Sequence, residues 1–535
     1  MLATAGTALL ATILWLLAPP MGVDLAAQVA RADFWARHGP AVLDLGWYGG
    51  GSPYQYSLVT PPLMAWLGGG ISGARWLGAI AAVVAAVLLA ALLVRTGARR
   101  PVLGGVVGVV GIVGNLVSGR ITFTAGLAVG LATLLVMTAR HTGVRRAGAV
   151  VGGVLTAATS PVAGLFCGLA GAALLLASRR RRPEGFLLAA GAGLAIGAVS
   201  ALFGSAGPMN HIPSDTLRSA TVSLLVAVLV AQPVIRVGAL LSAAGVVAAA
   251  VLQTPVGLNA GRLSATFALA VLAAHVIPPR WARPRWVRPR LRRPALGLTA
   301  MLVAVAAWQH PVALREFSHA GDPMASPGRY ESLIAQVRRF APVGRIEVVP
   351  TRAYWESARL AGEVPLARGW LRQADIARNG LFFEPRLTSE GYRRWLQGKG
   401  VSLVAISEGP HGSFGMQEAR LVRQRPPYLR QVWHGDGWTL FRVDGPPAVV
   451  EGATLLSSTD AELAVFAPTR GDVLVRIAWS RWLSVRGPSA CLTPGADGWS
   501  TLRVREPGTY ALTGSFSPGP RCAAAQGTGS AAARP

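Results

Sequence analysis

Charge is scarce in this chain, and acid is the scarcer sign. Asp, Glu, Lys and Arg together make up 14% of the 535 residues, against 52% hydrophobic ones. That balance excludes an ordinary soluble domain and reads as an integral membrane protein. Only 24 residues are acidic against 51 basic, a net charge of +27. The central apolar runs carry no acids, so the usual mark of ion-coupled transport is missing. There are three cysteines, no CxxC, no HExxH and no P-loop. Those absences remove the cysteine-based zinc and redox motifs, the zinc-protease motif and the nucleotide-phosphate motif. No lipidation signal is present. Glycine (64) and proline (37) are plentiful and Arg far outnumbers Lys, which fits GC-rich coding and carries no function.

What is present is a series of apolar runs, at residues 2–18, 76–94, 102–117, 121–139, 147–160, 162–178, 186–203, 219–235, 238–252, 263–278 and 295–309. Each is long enough, or nearly so, to cross a hydrocarbon core. Arginine clusters between alternate runs set the orientation. Arg95, Arg99 and Arg100 form one, Arg140, Arg145 and Arg146 a second, and residues 179–182 a third. Arg236 stands alone, and residues 278–294 carry seven. The opposite loops and their borders hold only Arg31, Arg37, Arg75, Arg120, Arg218 and Arg262. Positive charge stays inside, so the N-terminus is expected in the cytoplasm and everything past residue 310 outside, in a multi-pass plasma-membrane protein. The net positive charge is thus explained without a nucleic-acid partner. Residues 1–20 could be a signal peptide, but they lack a basic leader and their core is long, so an uncleaved first helix is expected.

The exported part changes texture. SPGRYESLIAQVRRFAP reads as a capped amphipathic helix and GRIEVVP as a buried strand; LTSEGYRRWLQGKG and VSLVAIS repeat that order. YLRQVWHGDGWTLFRV reads as a hairpin turning at Gly435–Gly437. This predicts an α/β unit over residues 311–445. Alternating strands then predict an antiparallel β-sandwich over 446–522, with a disordered tail at 523–535. Cys491 and Cys522 lie in the sandwich, where an oxidising exterior permits a disulfide. Cys167 falls in an apolar run and reads as core.

The first outer loop, residues 19–75, is far longer than a usual connection. It opens with MGVDLAAQVARADFWARHG, whose apolar spacing predicts a helix lying on the membrane surface. Next come LDLGWYGGGSPYQYS, PPLMAW and ARW. An acid just past the first apolar helix, a surface helix, an aromatic- and Gly-rich stretch, then Pro61, Pro62, Leu63 and Trp66, then residues 74–76, resemble the N-terminal signature of the GT-C glycosyltransferases. These include the protein O-mannosyltransferases and the lipid A aminoarabinose transferases. The resemblance covers residues 1–140, through Gly119 and Arg120. It implies a GT-C-like membrane domain over residues 1–310, a catalytic acid in the first outer loop and a polyprenyl-phosphate sugar as donor.

Asp24 falls where the family places that acid. Members often carry a second acid beside it, and here Leu25 stands in its place. A single-acid site and an inactive chain that keeps the architecture are both open. A sugar on a polyprenyl phosphate has a good leaving group, so the protein must take a proton from the acceptor and steady the phosphate. Outer-face cations suit the second role, and Arg75, Arg120, His211, Arg218 and Arg262 are the candidates. Each arginine also reads as a snorkelling helix-end anchor. Gln28, Trp47, Tyr48, Tyr54 and Tyr56 join the candidate binding residues, with an interfacial aromatic belt as the plainer reading. Asp24 itself reads alternatively as a helix N-cap, Asp33 as solvent-facing and Asp44 as a turn residue. In FGSAGPMNHIPSDTLRS, Ser214 or Asp215 reads as a cap, or Asp215 as a second acid with a divalent metal. Trp438 and Trp499 read as sandwich core or as sugar-stacking surfaces.

Three functions compete. The first is a bacterial membrane glycosyltransferase, moving a hexosyl or pentosyl group to a cell-envelope glycan or protein on the outer face. The second is an inactive GT-C-like scaffold that binds lipid-linked sugar or partners. The third is a transporter, disfavoured by the large exported tail and the lack of matching halves.

Overall fold

The computed structural model describes residues 1–522 apart from 206, 277–292, 310–313, 315, 446, 447 and 518. Nearly all of the arginine-rich segment at 278–294, and the whole tail expected to be disordered at 523–535, lie outside the described residues.

Eleven helices coincide with the eleven apolar runs: α1 (Leu2–Leu17), α4 (Gly70–Arg95), α5 (Pro101–Val117), α6 (Ile121–Val136), α7 (Thr142–Thr159), α8 (Pro161–Ala177), α9 (Arg182–Phe203), α10 (Pro213–Leu229), α11 (Pro233–Val251), α12 (Arg262–His275) and α13 (Arg293–Trp308). Among the described residues, Gly70–Arg95, Arg179–Phe203, Pro233–Val251 and Gly257–His275 are long and apolar enough to cross a membrane. Leu2–Leu17, Pro101–Val117, Ile121–Val136, Pro161–Ala177 and Leu296–Trp308 are apolar but shorter. Proline opens α5, α8, α10 and α11, where its missing N–H costs no helical bond. Small residues let the helices close on one another. A Cβ on Gly111 would lie 2.1 Å from the Thr266 carbonyl oxygen, and one on Gly164 2.7 Å from Ala157. Ser214 and Asp215 lie inside the first turn of α10, whose N-cap is Ile212 and has no side-chain cap.

The first outer loop folds as α2 (Leu25–His38), a 3₁₀ turn and α3 (Thr60–Trp66). Helix α2 differs from expectation. It does not lie on a surface: Leu25 to Ala32 are all buried. It is held between α3 and α4 on one side and α15 (Glu356–Arg359) on the other. Its alanines make this possible, because they pack on every side without a wide apolar stripe. Asp33 is likewise not solvent-facing. Its Oδ1 accepts from the Gly70 N–H at 2.8 Å and so satisfies an orphan donor at the start of α4. That cap helps α4 begin at Gly70, earlier than the apolar run alone indicates.

The α/β unit contains α14 (Glu331–Arg338), α15, α16 (Arg372–Arg378), α17 (Ser389–Lys399) and α18 (Met416–Arg423). Its sheet runs β1-β2-β4-β3, from Ile346–Val348, Leu403–Ser407, Trp438–Val443 and Leu429–Gly435. β1 and β2 are parallel, the rest antiparallel. The predicted cap of α14 is absent, since its N-cap is Tyr330 and makes no side-chain bond. The hairpin turns on Asp436 and Gly437, both at positive φ (51° and 77°). Beyond it, two four-stranded antiparallel sheets share one core. A disulfide joins Cys491 to Cys522. Trp438 is fully buried against Tyr330, and Trp499 is 8% exposed, so both are core rather than sugar platforms. Cys167 is buried in α8.

Residues 42–51 stitch the parts together. Val42, Leu43 and Leu45 belong to the sandwich core. The Gly46 carbonyl accepts from the Leu366 N–H, and the Gly49 carbonyl from the Ala478 N–H, both at 2.8 Å.

Candidate active site

Where α2 begins, it meets the turn between α5 and α6. The Asp24 N–H donates to the Ser118 carbonyl at 3.2 Å. Gly22 and Gly119 allow this approach. Each has positive φ, and a Cβ on either would lie within 2.4 Å of backbone atoms across the contact. Asp24 occupies the N-cap place of α2 but makes no side-chain capping bond. Its carboxylate instead pairs with Arg120 (Nε–Oδ2 3.4 Å) and with Arg262 at the start of α12 (Nη2–Oδ2 3.8 Å).

Asp24, Gln28 and Arg31 recur at i, i+4 and i+7, so one face of α2 presents all three. Gln28 is fully buried, and each of its amide atoms has a partner. Nε2 donates to the Tyr56 hydroxyl (3.0 Å), and Oε1 accepts from Thr122 (2.7 Å), whose hydroxyl also pairs with Thr60 (2.7 Å). Arg31 is buried, with its guanidinium 3.8 Å above the Tyr56 ring and 5.5 Å from Trp47. Its Nη1 donates to the Ala27 carbonyl. No carboxylate lies within salt-bridge distance of it among the described residues. Burial lowers its affinity for the proton, and Tyr56, Asp44 and Asp24 oppose that.

These residues line a cavity of about 640 Å³. Its floor is apolar and lies between apolar helices: Phe123 of α6, Val162 and Leu165 of α8, Ile196 and Val199 of α9. Its outer wall comes from the α/β unit: Trp370, Leu371, Arg372, Gln373, Ala374, Arg378 and Phe414. Tyr48 fixes that wall to the loop. Its hydroxyl donates to the Gly369 carbonyl (2.9 Å) and accepts from the Leu371 N–H (3.1 Å). Asp44 also faces the cavity. Its Oδ1 accepts from the Gly46 N–H at 2.8 Å, the turn geometry expected of it, and burial pushes its carboxyl up to about 7.

The sequence candidates divide on this geometry. Asp24, Gln28, Trp47, Tyr48 and Arg262 line the cavity, and Arg120 adjoins it through Asp24. Trp47 turns its indole N–H to the Ser357 carbonyl. Arg75 lies elsewhere, donating to the carbonyls of Trp15, Leu16 and Ala18 and so closing the C-terminus of α1. Tyr54 packs among Trp35, Phe203 and Phe516, where α9 meets the sandwich. His211 is exposed and outside the lining. Asp215 is also outside and pairs with Arg218 at 3.5 Å. Among the described residues no group of three His, Cys, Asp or Glu side chains is placed to hold a metal ion. A carboxylate flanked by two guanidinium groups repels a divalent cation, so this donor set does not fit a metal. Sequence reasoning missed Arg31, Thr122, Arg372 and Arg378. The i, i+4, i+7 spacing marked Arg31; nothing local marked the last two.

No family model matches the sequence, and no curated protein matches it. Solved structures do resemble it. One is the cryo-EM structure of arabinofuranosyltransferase AftD from Mycobacteria, with a TM-score of 0.48 and 14% identity, covering 96% of this chain and 57% of that one. Another is a mutant of the same enzyme, with a TM-score of 0.47 and 15% identity, covering 96% and 59%. This chain therefore spans under two thirds of the length of the structures it resembles.

Proposed function

We propose that this chain is a membrane glycosyltransferase that moves a sugar from a polyprenyl-phosphate donor to a cell-envelope acceptor on the outer face. One observation carries the reading: a single cavity joins an apolar floor between membrane helices to a carboxylate and several guanidinium groups. A lipid-linked sugar has that polarity, with an apolar tail below and an anionic head above. In the reaction the acceptor hydroxyl loses its proton to the Asp24 carboxylate as its oxygen bonds to the anomeric carbon. The bond from that carbon to the phosphate oxygen breaks, and the electron pair leaves with the polyprenyl phosphate. Arg262 and Arg31 meet the charge that develops there. Arg120 holds Asp24 against the α5–α6 turn. In this reading the N-terminus is cytoplasmic, all eleven apolar helices cross the bilayer, and the parts after α13 are exported.

A second reading is an inactive scaffold. It draws on the two arginines already engaging Asp24 and on Leu25 in the place of a second acid. Proteoliposomes supplied with radiolabelled polyprenyl-phosphate sugars and an envelope extract separate the two. Transfer by the wild type, lost in Asp24→Asn, supports the enzyme. No transfer from any donor, with polyprenyl phosphate still bound, supports the scaffold. Protease added to spheroplasts should digest the chain beyond residue 310; protection of that region would contradict the topology.

A further inference from the structure

The outer wall of the cavity carries its own cationic pole. Arg372 is held flat by its neighbours. Its guanidinium lies 3.8 Å from the Phe414 ring and 4.8 Å from Trp370, which stacks on Tyr354 at 3.8 Å and 9°. Its Nη2 donates to the Tyr354 hydroxyl at 2.9 Å, while its Nη1 has no hydrogen-bond acceptor. Arg378, on the same wall, donates only to the Tyr48 and Gly50 carbonyls. Neither arginine has a carboxylate within 4.0 Å, although all 24 acids of the chain lie among the described residues. Some arginines of this region are paired, Arg368 with Glu347 and Glu418, Arg476 with Glu451 and Arg503 with Asp472; Arg345 and Arg521 also donate to carbonyls alone, but neither lines the cavity.

A guanidinium fixed by stacking, with an N–H unsatisfied and no counter-ion, is arranged for an oxyanion. A lipid-linked donor brings a single phosphate, and Arg31 and Arg262 already face its place. We infer that Arg372 and Arg378 form a second oxyanion subsite, which takes the phosphate or carboxylate of a saccharide substrate entering from outside. This rests on the glycosyltransferase reading and names its acceptor class: an anionic glycan. The donor headgroup offers the same chemistry from the membrane side.

The test measures binding, not turnover, so it stands apart from the enzymatic claim. Full-length protein in nanodiscs is titrated with glucose 1-phosphate, glucuronate and glucose, and separately with polyprenyl phosphate supplied in the nanodisc lipid. The expected result is that both anionic sugars bind and glucose does not. Arg372→Gln should weaken the anionic sugars by about tenfold or more. Arg372→Lys should restore part of that, and Phe414→Leu, which keeps the charge but loosens the stack, should weaken them less. If Arg372→Gln instead weakens polyprenyl phosphate alone, the subsite stands and its anion is the donor's. Equal binding of every probe to wild type and Arg372→Gln, with unchanged thermal midpoints, overturns the subsite. If glucose binds as well as the anionic sugars, the anionic class is overturned too.

Discussion

The two walls of the cavity handle charge in opposite ways. On the wall formed around α2, Asp24 sits between Arg120 and Arg262, and Gln28 is tied to Tyr56 and Thr122. On the wall from the α/β unit, Arg372 and Arg378 face the same space, and among the described residues their side chains hydrogen-bond only to backbone carbonyls and a hydroxyl. The first wall sets a carboxylate between two of its guanidinium groups and leaves Arg31 without one. The second has no carboxylate within 4.0 Å of either arginine. A cavity with a carboxylate on one wall and only cations on the other suits a proton acceptor on the first and an oxyanion on the second.

The largest effect should come from the wall that carries Asp24. Asp24→Asn keeps size and hydrogen bonding but removes the proton acceptor, so transfer should fall by about 10²–10⁴-fold. Polyprenyl-phosphate affinity should hold or tighten, because Arg262 loses its internal partner. Equal loss of binding and turnover would erase the distinction between base and phosphate groups. Next, Arg262→Gln should weaken polyprenyl-phosphate binding by about 10–100-fold, as expected for loss of one charge-assisted contact. A flotation assay with vesicles containing polyprenyl phosphate reads this directly. An unchanged affinity would move the phosphate away from Asp24.

Further from the site, changing Cys491 and Cys522 to Ser should destabilise the sandwich by about 2–5 kcal/mol. Limited proteolysis should then release the sandwich first, with the membrane helices intact. The smallest effect concerns Asp44. Burial lifts its carboxyl to about 7 from an ordinary 3.8. Between those values the unfolded chain ionises while the folded one does not, so stability falls as pH rises through that window and the loss is complete above it. Asp44→Asn keeps the turn and escapes the loss. Its unfolding free energy should match the wild type near pH 4 and exceed it near pH 8, by roughly 1–2 kcal/mol after allowing for partial exposure. Equal gains at both pH values would remove the titration from the explanation.

The wall that carries Asp24 is legible in the sequence because its parts sit close to apolar runs. Asp24 follows the first run, and Arg120 and Arg262 border others, so a hydropathy reading collects all three. The α/β order and the Asp436–Gly437 hairpin are legible because strand alternation and turn chemistry are local. Helix α2 reads as a surface helix because its periodicity says nothing of what covers it from above. The cover is the α/β unit, more than 300 residues away in sequence. Arg75 and Asp33 mislead for a related reason. Each caps a helix end that spacing cannot pair with it. Arg372 and Phe414 lie in ordinary-looking exported sequence, and only the fold brings them to the cavity.

The most direct test places a lipid phosphate in the cavity. A polyprenyl phosphate bearing a diazirine on its first isoprene unit is photolysed with the full-length protein in nanodiscs, and the labelled peptides are mapped. The expected label falls on α2 near Gln28 and Arg31, on α8 and α9 near Leu165 and Ile196, and on the start of α12. Excess unlabelled polyprenyl phosphate should abolish it. Label confined to the outer faces of the helices, or undiminished by competitor, would contradict a lipid-phosphate site beside Asp24.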